Sequence, residues 1–234
     1  MSVLAVLALG FAARTVHADP RCAAPMGSAS GLGALGAEQR LSFLRGTLDD
    51  QASRATTWSV GWAISGLGLA AGSVGLAALE SDRDQRYEWL ISGAPALWYP
   101  LMAVVDPPEV IEDHRLLEEL VTMTRGPRGW MAPCILVYRG EDLLARAARD
   151  EQARHDFFQH ALGVVVSAAI AVLTATALHD VPGGVLNGVG SVAVSELNLW
   201  TLPTGAVDAL ERYRAGDLGS RRAAAVGVLL PFAW

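Results

Sequence analysis

Four long runs that carry at most one acidic or basic residue each dominate the hydrophobic pattern of the chain. They cover residues 55–79, 89–105, 157–178 and 181–207, with lengths of 25, 17, 22 and 27 residues. A helix needs about 20 apolar residues to cross a bilayer, whereas strands of a membrane barrel alternate over about 10 positions. These runs do not alternate, so the pattern predicts an all-α membrane protein with four spanning helices. The alternative is a soluble protein whose helical hairpins bury one another.

Polar segments with helical spacing flank these runs. Residues 36–54 and 140–156 precede the first and third runs, and residues 107–124 follow the second. In the last of these segments, apolar residues recur at the spacing of one helix face from Val110 to Val121. We therefore predict amphipathic helices beside each pair of spanning helices.

Two sequence matches about a hundred residues apart indicate a duplication. The segment RGTLDDQA at residues 45–52 is similar to RAARDEQA at 146–153, with an offset of 101. The segment 97–109 shares Leu, Trp, Val, Asp and Glu with 199–211, at an offset of 102. Each match falls at the same place relative to its hairpin, so we predict two tandem repeats.

The duplication divides the chain into five predicted parts. Each repeat combines a polar helix, a spanning hairpin and a polar segment, so the two hairpins are parallel and related by an axis along the membrane normal. All polar helices then share one side of the membrane. The predicted parts are a signal peptide at 1–18, repeat 1 at 19–125, a linker at 126–137, repeat 2 at 138–218 and a C-terminal tail at 219–234.

Two pairs of glycines have a spacing that suits close helix packing. Gly68 with Gly72, and Gly184 with Gly188, lie four residues apart on one helix face. Small residues at this spacing let two helices approach closely in lipid. Glycine-rich apolar sequence also produces such pairs by chance, so the spacing alone is a weak indication of helix packing.

Composition narrows the class of partner. The chain is 52% hydrophobic and 18% charged, below the roughly 25% charged residues of soluble domains. Its net charge is −6, and all 18 basic residues are arginines. Nucleic-acid binding needs a basic patch, which the sequence lacks. The predicted partners are therefore the lipid bilayer and either a second copy of the chain or another envelope protein, with no nucleic acid.

The N-terminus and the cysteines favour export. Residues 1–18 combine an apolar core with the small-residue ending VHA, as in a signal peptide, although a short apolar helix or a misassigned start is an alternative. Cys22 and Cys134 would form a disulfide in an oxidising compartment. The positive-inside rule disagrees, because the predicted polar side, which includes the linker and the C-terminal tail, carries 15 arginines and the hairpin tips carry two. We favour the exported orientation, with the polar helices on the periplasmic side of a bacterial membrane.

Four carboxylates near the ends of the spanning runs have the spacing of helix caps. Asp106 precedes Glu109 by three residues, and Asp208 precedes Glu211 by three, as in a capping box. Carboxylates in such positions accept hydrogen bonds from free backbone N–H groups and face the positive end of the helix. A cation or proton site formed by the two pairs is the alternative.

Glu196 is the single formal charge of the fourth run, and at an offset of 102 it meets Ala94 in the first repeat. If the run is one helix, this carboxylate lies about 20 Å from either end, near the bilayer centre. An ionisable residue at that depth is a functional candidate, although a purely structural polar contact between helices explains it equally well. Ser167 lies at its level in an antiparallel hairpin, and Asn187 and Asn198 complete the intramembrane candidates.

No motif predicts an enzyme, a metal site or a cofactor. Residues 150–160 contain two acid–histidine pairs at i,i+4, but the Glu-x-x-His motif of ferritin-like bundles is absent. A phosphate loop and a nucleophile–base constellation are absent as well. We therefore expect a non-enzymatic protein of the bacterial envelope with a structural or interaction role. The alternative is a small transporter or lipid-handling protein that uses Glu196, with Trp98 and Trp200 near the repeat axis.

Overall fold

The computed structural model describes residues 20–125, 132–177 and 179–219, so the predicted signal peptide and nearly all of the predicted tail lie outside the described residues. No strand forms within these three ranges, which confirms the all-α class. The α-helices are α1 (Ala37–Leu79), α2 (Arg83–Gly93), α3 (Trp98–Val105), α4 (Glu109–Arg125), α5 (Pro133–Arg154), α6 (Phe157–Ala177), α7 (Val181–Trp200) and α8 (Ala206–Arg214).

The longest helix, α1, joins the first predicted polar helix to the first apolar run without a break. It has 43 residues, which corresponds to about 65 Å at 1.5 Å per residue. Its interior contains no proline, and its glycines are spread singly along the helix. The polar and apolar parts of the first half of the chain are therefore joined by one continuous helix.

The first half of α1 packs with α4, α5 and α8 into a bundle that we call the polar domain. Fully buried leucines form its core, among them Leu44, Leu48, Leu117 and Leu144. The segment that precedes α1 covers one end of this bundle. A disulfide ties it down, with the Cα atoms of Cys22 and Cys134 5.3 Å apart. The first residues of α5, 133–137, lie within the predicted linker.

The second half of α1 packs antiparallel against α2 and α3, and we call this group the first apolar pair. A Cβ on Gly66 would lie 2.4 Å from the Ala96 carbonyl oxygen, and one on Gly93 would lie 2.4 Å from the Ser73 Cβ. The second apolar run is not one helix, because a 3-10 turn at Ala94–Leu97 separates α2 from α3. Pro95 falls at the start of this turn, and its ring removes a backbone N–H from the helix.

Helices α6 and α7 form the second apolar pair, also antiparallel. A Cβ on Gly184 would lie 2.6 Å from the Ala171 carbonyl oxygen, and Gly188 also packs on Ala171. The fourth run was predicted to be helical as far as residue 207, but α7 ends at Trp200. Pro203 lies just beyond the end of the helix, and Gly205 adopts φ +130°, a conformation that favours glycine.

Among the helices of the described residues, two are long and apolar enough to cross a membrane, α1 and α6. Only 17% and 11% of their most apolar stretches are buried inside the protein. Both helices are therefore compatible with a membrane location. The apolar pairs expose large apolar side chains, whereas the polar domain buries its apolar side chains in a closed core.

Candidate functional site

Glu196, the strongest candidate from the sequence, lies one turn from the end of α7 rather than near its middle. Its Oε2 atom lies 2.8 Å from the Nδ1 atom of His160, at the start of α6. Both side chains are about one third exposed. The expectation that Glu196 lies about midway along its helix is therefore wrong, because α7 stops four residues beyond Glu196.

The two other hydrophilic candidates inside the apolar pairs make structural contacts. The Ser167 hydroxyl donates to the Ser191 hydroxyl at 3.0 Å and is fully buried between α6 and α7. The Ser92 hydroxyl donates at 3.0 Å to the Oδ1 atom of Asn187, which links α2 to α7. The structure therefore brings neither Ser167 nor Asn187 to Glu196, and Asn187 instead joins the two apolar pairs.

Asn198 lines a cavity of about 450 Å³ between the apolar pairs, at the level where they meet the polar domain. This cavity is the candidate site that combines charged, aromatic and apolar side chains. Charged side chains close its end toward the polar domain, while aromatic and apolar side chains form the wall between the helix pairs. The main members of that wall are Trp58, Trp62, Trp98, Tyr99, Met102 and Leu199.

Two indoles of α1 fix the geometry of the cavity wall. Trp58 and Trp62 lie one helical turn apart, and their Nε1 atoms both donate to the Thr201 hydroxyl, at 3.2 and 3.1 Å. That hydroxyl donates to the Leu197 carbonyl oxygen at 2.7 Å. The Trp62 ring also packs on Tyr99, with 5.1 Å between the ring centroids. The end of α7 is thereby attached to the first apolar pair.

The charged end of the cavity is built around Arg154. Its Nε atom donates to both oxygens of Asp150, at 2.9 and 3.0 Å. Its Nη2 atom donates to Asp106 at 3.3 Å and to the Pro107 carbonyl oxygen at 3.2 Å. The guanidinium therefore joins the ends of α3 and α5, and most of its donors are already used.

Ser59 is the one buried hydroxyl of the cavity lining whose hydrogen bond is missing within the described residues. The side chain is 7% exposed, and its Oγ atom has no hydrogen-bond partner there. Leaving a buried polar group without a partner costs about 1–3 kcal/mol. Such a group next to a cavity indicates a place where a polar atom from outside the chain would be stabilised.

The N-termini of α4 and α8 are capped by side chains of α5. The Asp150 Oδ2 atom accepts a hydrogen bond from the Glu109 backbone N–H at 3.1 Å. The Glu151 carboxylate accepts hydrogen bonds from the backbone N–H groups of residues 205–207, at 2.6–3.3 Å. Two adjacent acids on one helix therefore cap two other helices.

The four carboxylates predicted as caps have other positions. Asp106 follows the last residue of α3 and accepts from Arg154, and Glu109 is the first residue of α4. The structure does not place Asp208 at an N-cap, because α8 has already begun at Ala206. Asp208 still lies in the first turn, where a negative charge faces the positive end of the helix, whereas Glu211 lies further along α8.

A buried polar network lies at the centre of the polar domain. The Arg40 side chain is fully buried, donates from Nε to the Tyr213 hydroxyl at 2.8 Å, and also pairs with Glu141. Burial would lower the pKa of Arg40, but the hydrogen bonds to Tyr213 and Glu141 outweigh it and raise this pKa. Burial, followed by the hydrogen bond to Glu141, raises the pKa of Tyr213 well above its ordinary value.

Across residues 20–125, 132–177 and 179–219, His, Cys, Asp and Glu side chains form no group of three or more that could hold a metal ion. No protein-family model matches the chain, and no curated protein and no solved structure is significantly similar to it. The function is therefore argued from the geometry alone.

Sequence reasoning missed two features of this region. It did not find His160 as the partner of Glu196, because the register between two helices leaves no mark in a single sequence. It also missed the cavity wall, although the i,i+4 spacing of Trp58 and Trp62 places both indoles on one face of α1. That spacing was the signal available.

Proposed function

We propose that the chain is an integral membrane protein of the bacterial envelope that crosses the bilayer four times and has a structural or interaction role. The observation that carries the proposal is the exposure of the apolar helices. Ile64, Leu69, Val165 and Leu186 are 65%, 55%, 65% and 73% exposed. Exposing such side chains to water costs about 25 cal/mol per Å² of apolar surface. A bilayer removes this cost, because lipid tails are as apolar as these side chains.

The dimensions of the helices support four spans. Helix α7 has 20 residues, about 30 Å, which matches the hydrocarbon thickness of a bilayer. Residues 83–105 have a similar reach, although the 3-10 turn interrupts them. Irregular backbone is tolerated inside a membrane where protein covers it, and Gly66 of α1 packs directly on this turn. Each apolar pair therefore forms a spanning hairpin in this proposal.

A contact between equivalent positions supports the two parallel repeats. Arg40 and Glu141 form an ion pair and lie 101 positions apart, the offset of the first sequence match. Equivalent residues meet where they lie close to the axis that relates two copies. An axis along the membrane normal, passing between the first half of α1 and α5, would produce this contact.

The disulfide supports the exported orientation. Disulfides persist in oxidising compartments such as the periplasm and are rare in the cytosol. Cys22 and Cys134 both belong to the polar domain. In our proposal this domain therefore lies on the periplasmic side, against the positive-inside rule, and the loop near residue 81 lies on the cytoplasmic side.

A wide cleft on the polar domain suits an interaction role. It measures about 910 Å³ and lies between α1, α4 and the start of α5. Leu41, Val121 and Leu136 contribute apolar surface to it, and Glu38 and Arg45 contribute charges. We assign this cleft to a partner in the envelope or to a second copy of the chain. The transporter alternative is weaker, because the Glu196 carboxylate lies near a helix end and faces His160.

Accessibility of single added thiols tests the spans and the orientation together. Asp142→Cys places a thiol on the exposed face of α5 in the polar domain, and Asp84→Cys places one at the start of α2, where the side chain is also exposed. Both keep the native disulfide, so each variant has one free thiol. In spheroplasts, an impermeant maleimide should label Asp142→Cys at once and Asp84→Cys only after lysis.

Other outcomes separate the parts of the proposal. The reverse labelling pattern would keep the spans and overturn the exported orientation. Labelling of both thiols from the same side would overturn the spans. Release of the wild-type chain by an alkaline carbonate wash would overturn membrane integration, since spanning helices hold the chain in the bilayer even when an attached domain unfolds.

A further inference from the structure

We propose that the cavity between the two apolar pairs binds the ammonium head of an amphipathic molecule whose chain extends into the surrounding lipid. The proposal rests on the membrane placement proposed above. The site is the cavity of about 450 Å³ lined by α1, α3, α5, α6 and α7, a volume within the usual range for small-molecule sites. Four features of its lining select this ligand chemistry.

The first feature is the aromatic wall. Trp58, Trp62, Trp98 and Tyr99 all line the cavity. The faces of tryptophan and tyrosine rings attract cations, and several rings around one space form the cage that proteins use for quaternary ammonium groups. The bonds from two of the indoles to Thr201 hold the wall in place before any ligand enters.

The second feature is the balance of charge. The cavity lining carries two carboxylates, Asp106 and Asp150, and one guanidinium, Arg154, which gives a local charge of −2 + 1 = −1. Arg154 already donates to both carboxylates and to a carbonyl oxygen. An anionic head would have to displace these bonds, whereas a cation is attracted without breaking them. Asp106 is 58% exposed and contacts Arg154 through one long hydrogen bond. Of the two lining carboxylates, it is therefore the one that a bound cation can approach more easily.

The third feature is the hydroxyl of Ser59. It is the buried group of the lining whose hydrogen bond is missing within the described residues. Its hydroxyl hydrogen rotates, so Ser59 can donate to a ligand oxygen or accept from an ammonium N–H. A polar head in the cavity would therefore supply the partner that the protein does not.

The fourth feature is the position of the cavity. Asp106, Asp150 and Arg154 lie where the lining adjoins the polar domain, whereas Trp98 and Leu162 lie about two turns and one turn further along α3 and α6. Trp98 is also 59% exposed, and tryptophan is enriched where a membrane meets water. A molecule with one charged end and one apolar end matches this gradient, and its chain leaves between the helix pairs.

Two pairs of positions related by the duplication offset supply matched variants. Trp98→Leu and Asp106→Asn alter the cavity, while Trp200→Leu and Asp208→Asn make the same changes at the equivalent positions 102 residues later. Trp200 is 78% exposed, and neither control residue belongs to the lining. Any general effect of losing an indole or a carboxylate should therefore appear in both members of a pair.

The test is calorimetric titration of the full chain, purified in a maltoside detergent, with hexyltrimethylammonium. Hexyl sulfate serves as the anionic probe, and empty micelles provide the blank. We expect the wild type to bind the cation, and each cavity variant to bind it about tenfold more weakly, as for loss of one ring or charge. The two control variants should stay within about twofold of the wild type.

Three results would overturn the proposal. They are equal binding of hexyl sulfate, equal losses in cavity and control variants, or no binding of the cation beyond the micelle blank. Native mass spectrometry distinguishes the sources of the ammonium group. Phosphatidylethanolamine that is retained by the wild type and Trp200→Leu but not by Trp98→Leu identifies a lipid headgroup, and binding of hexyltrimethylammonium without retained lipid identifies a free amphipathic amine.

The titration and the membrane experiments distinguish failure of the cavity proposal from failure of the membrane placement. If thiol labelling supports the spans and the cation does not bind, only the cavity proposal fails. If an alkaline wash releases the chain, the membrane placement fails. The same titration on the released protein then decides whether the cavity binds an ammonium group.

Discussion

The polar domain and the two apolar pairs achieve close packing in opposite ways. In the polar domain, large side chains such as Leu44 and Leu117 are fully buried, and a disulfide and a buried arginine tie distant segments together. In the apolar pairs, small residues such as Gly184 and Ala171 form close helix contacts, and many large apolar side chains are exposed. In the membrane placement proposed above, this difference has a physical reason, because water drives large apolar groups inward and lipid does not.

The comparison also separates two uses of polar residues. In the polar domain, Arg40 bonds to a tyrosine, a carboxylate and two backbone carbonyls, so its charge is fully paired inside the core. In the apolar pairs, polar residues such as Ser167 and Asn187 make single contacts between helices. Changes to the polar network should therefore have large effects, and changes to the contacts between helices should have smaller ones.

The largest expected effect follows from removing the buried charge, with Arg40→Met. This change removes the cation that faces the largely buried Glu141 carboxylate and the donor to the Tyr213 hydroxyl oxygen, which costs about 3–5 kcal/mol of unfolding free energy. The measurement is denaturant unfolding of the detergent-solubilised protein, followed by near-ultraviolet circular dichroism. Arg115→Met is the control, because Arg115 is 67% exposed and its surface pairs are worth less than about 1 kcal/mol. Equal effects of the two changes would contradict the central role of the network.

A smaller effect is expected from crowding the second apolar pair with Gly184→Val. The added side chain meets the Ala171 carbonyl oxygen and the Ala175 Cβ, at 2.6 and 2.9 Å from the first added carbon. Overpacking of this kind costs about 1–3 kcal/mol. Gly190→Val is the control on the same helix, because nothing among the described residues lies within 4 Å of a Cβ there. In thermal unfolding in detergent, Gly184→Val should have the lower melting temperature of the two variants. Identical melting temperatures would contradict the idea that small residues allow α6 and α7 to pack closely.

The glycine contacts also show how far spacing predicts packing. Of the two GxxxG pairs in the long apolar runs, Gly184 and Gly188 lie at a helix contact. A Cβ on Gly68 or Gly72 would meet nothing within 4 Å among the described residues. Spacing identifies residues that share a helix face, but it does not tell which face meets another helix.

The long apolar helices and the flanking polar helices could be predicted from the sequence, because periodicity and hydropathy are local properties. Helix ends were predicted less well, since the fourth run continues in composition beyond Trp200 while Pro203 and Gly205 change the backbone. The capping of α8 by Glu151 could not be predicted, because it depends on which helices pack together. For the same reason, the cavity and the contact of His160 with Glu196 became visible only in the folded chain.

Alkaline pH should weaken the polar domain specifically. The pKa of Tyr213 is raised by burial and by Glu141, so the folded state favours the protonated phenol. This contribution to stability is complete below the ordinary tyrosine pKa of about 10 and is lost as pH rises above it, with a limiting slope of about 1.4 kcal/mol per pH unit. Unfolding measured across this pH range should show the slope in the wild type. Tyr213→Phe should reduce this slope, and an unchanged slope in that variant would contradict the assignment.

The smallest effect is expected from Glu196→Gln. This change tests whether the apolar pairs carry protons as well as pack together and bind a ligand. Glutamine keeps an oxygen that can accept from His160, so the melting temperature should change by less than the effect of Gly184→Val. Glu196 does not line the cavity, so binding of hexyltrimethylammonium should also be unchanged. In liposomes with an internal pH dye, wild type and variant should both match empty vesicles. A proton flux in the wild type that Glu196→Gln abolishes would restore the transporter alternative and show that this pair carries chemistry as well as packing.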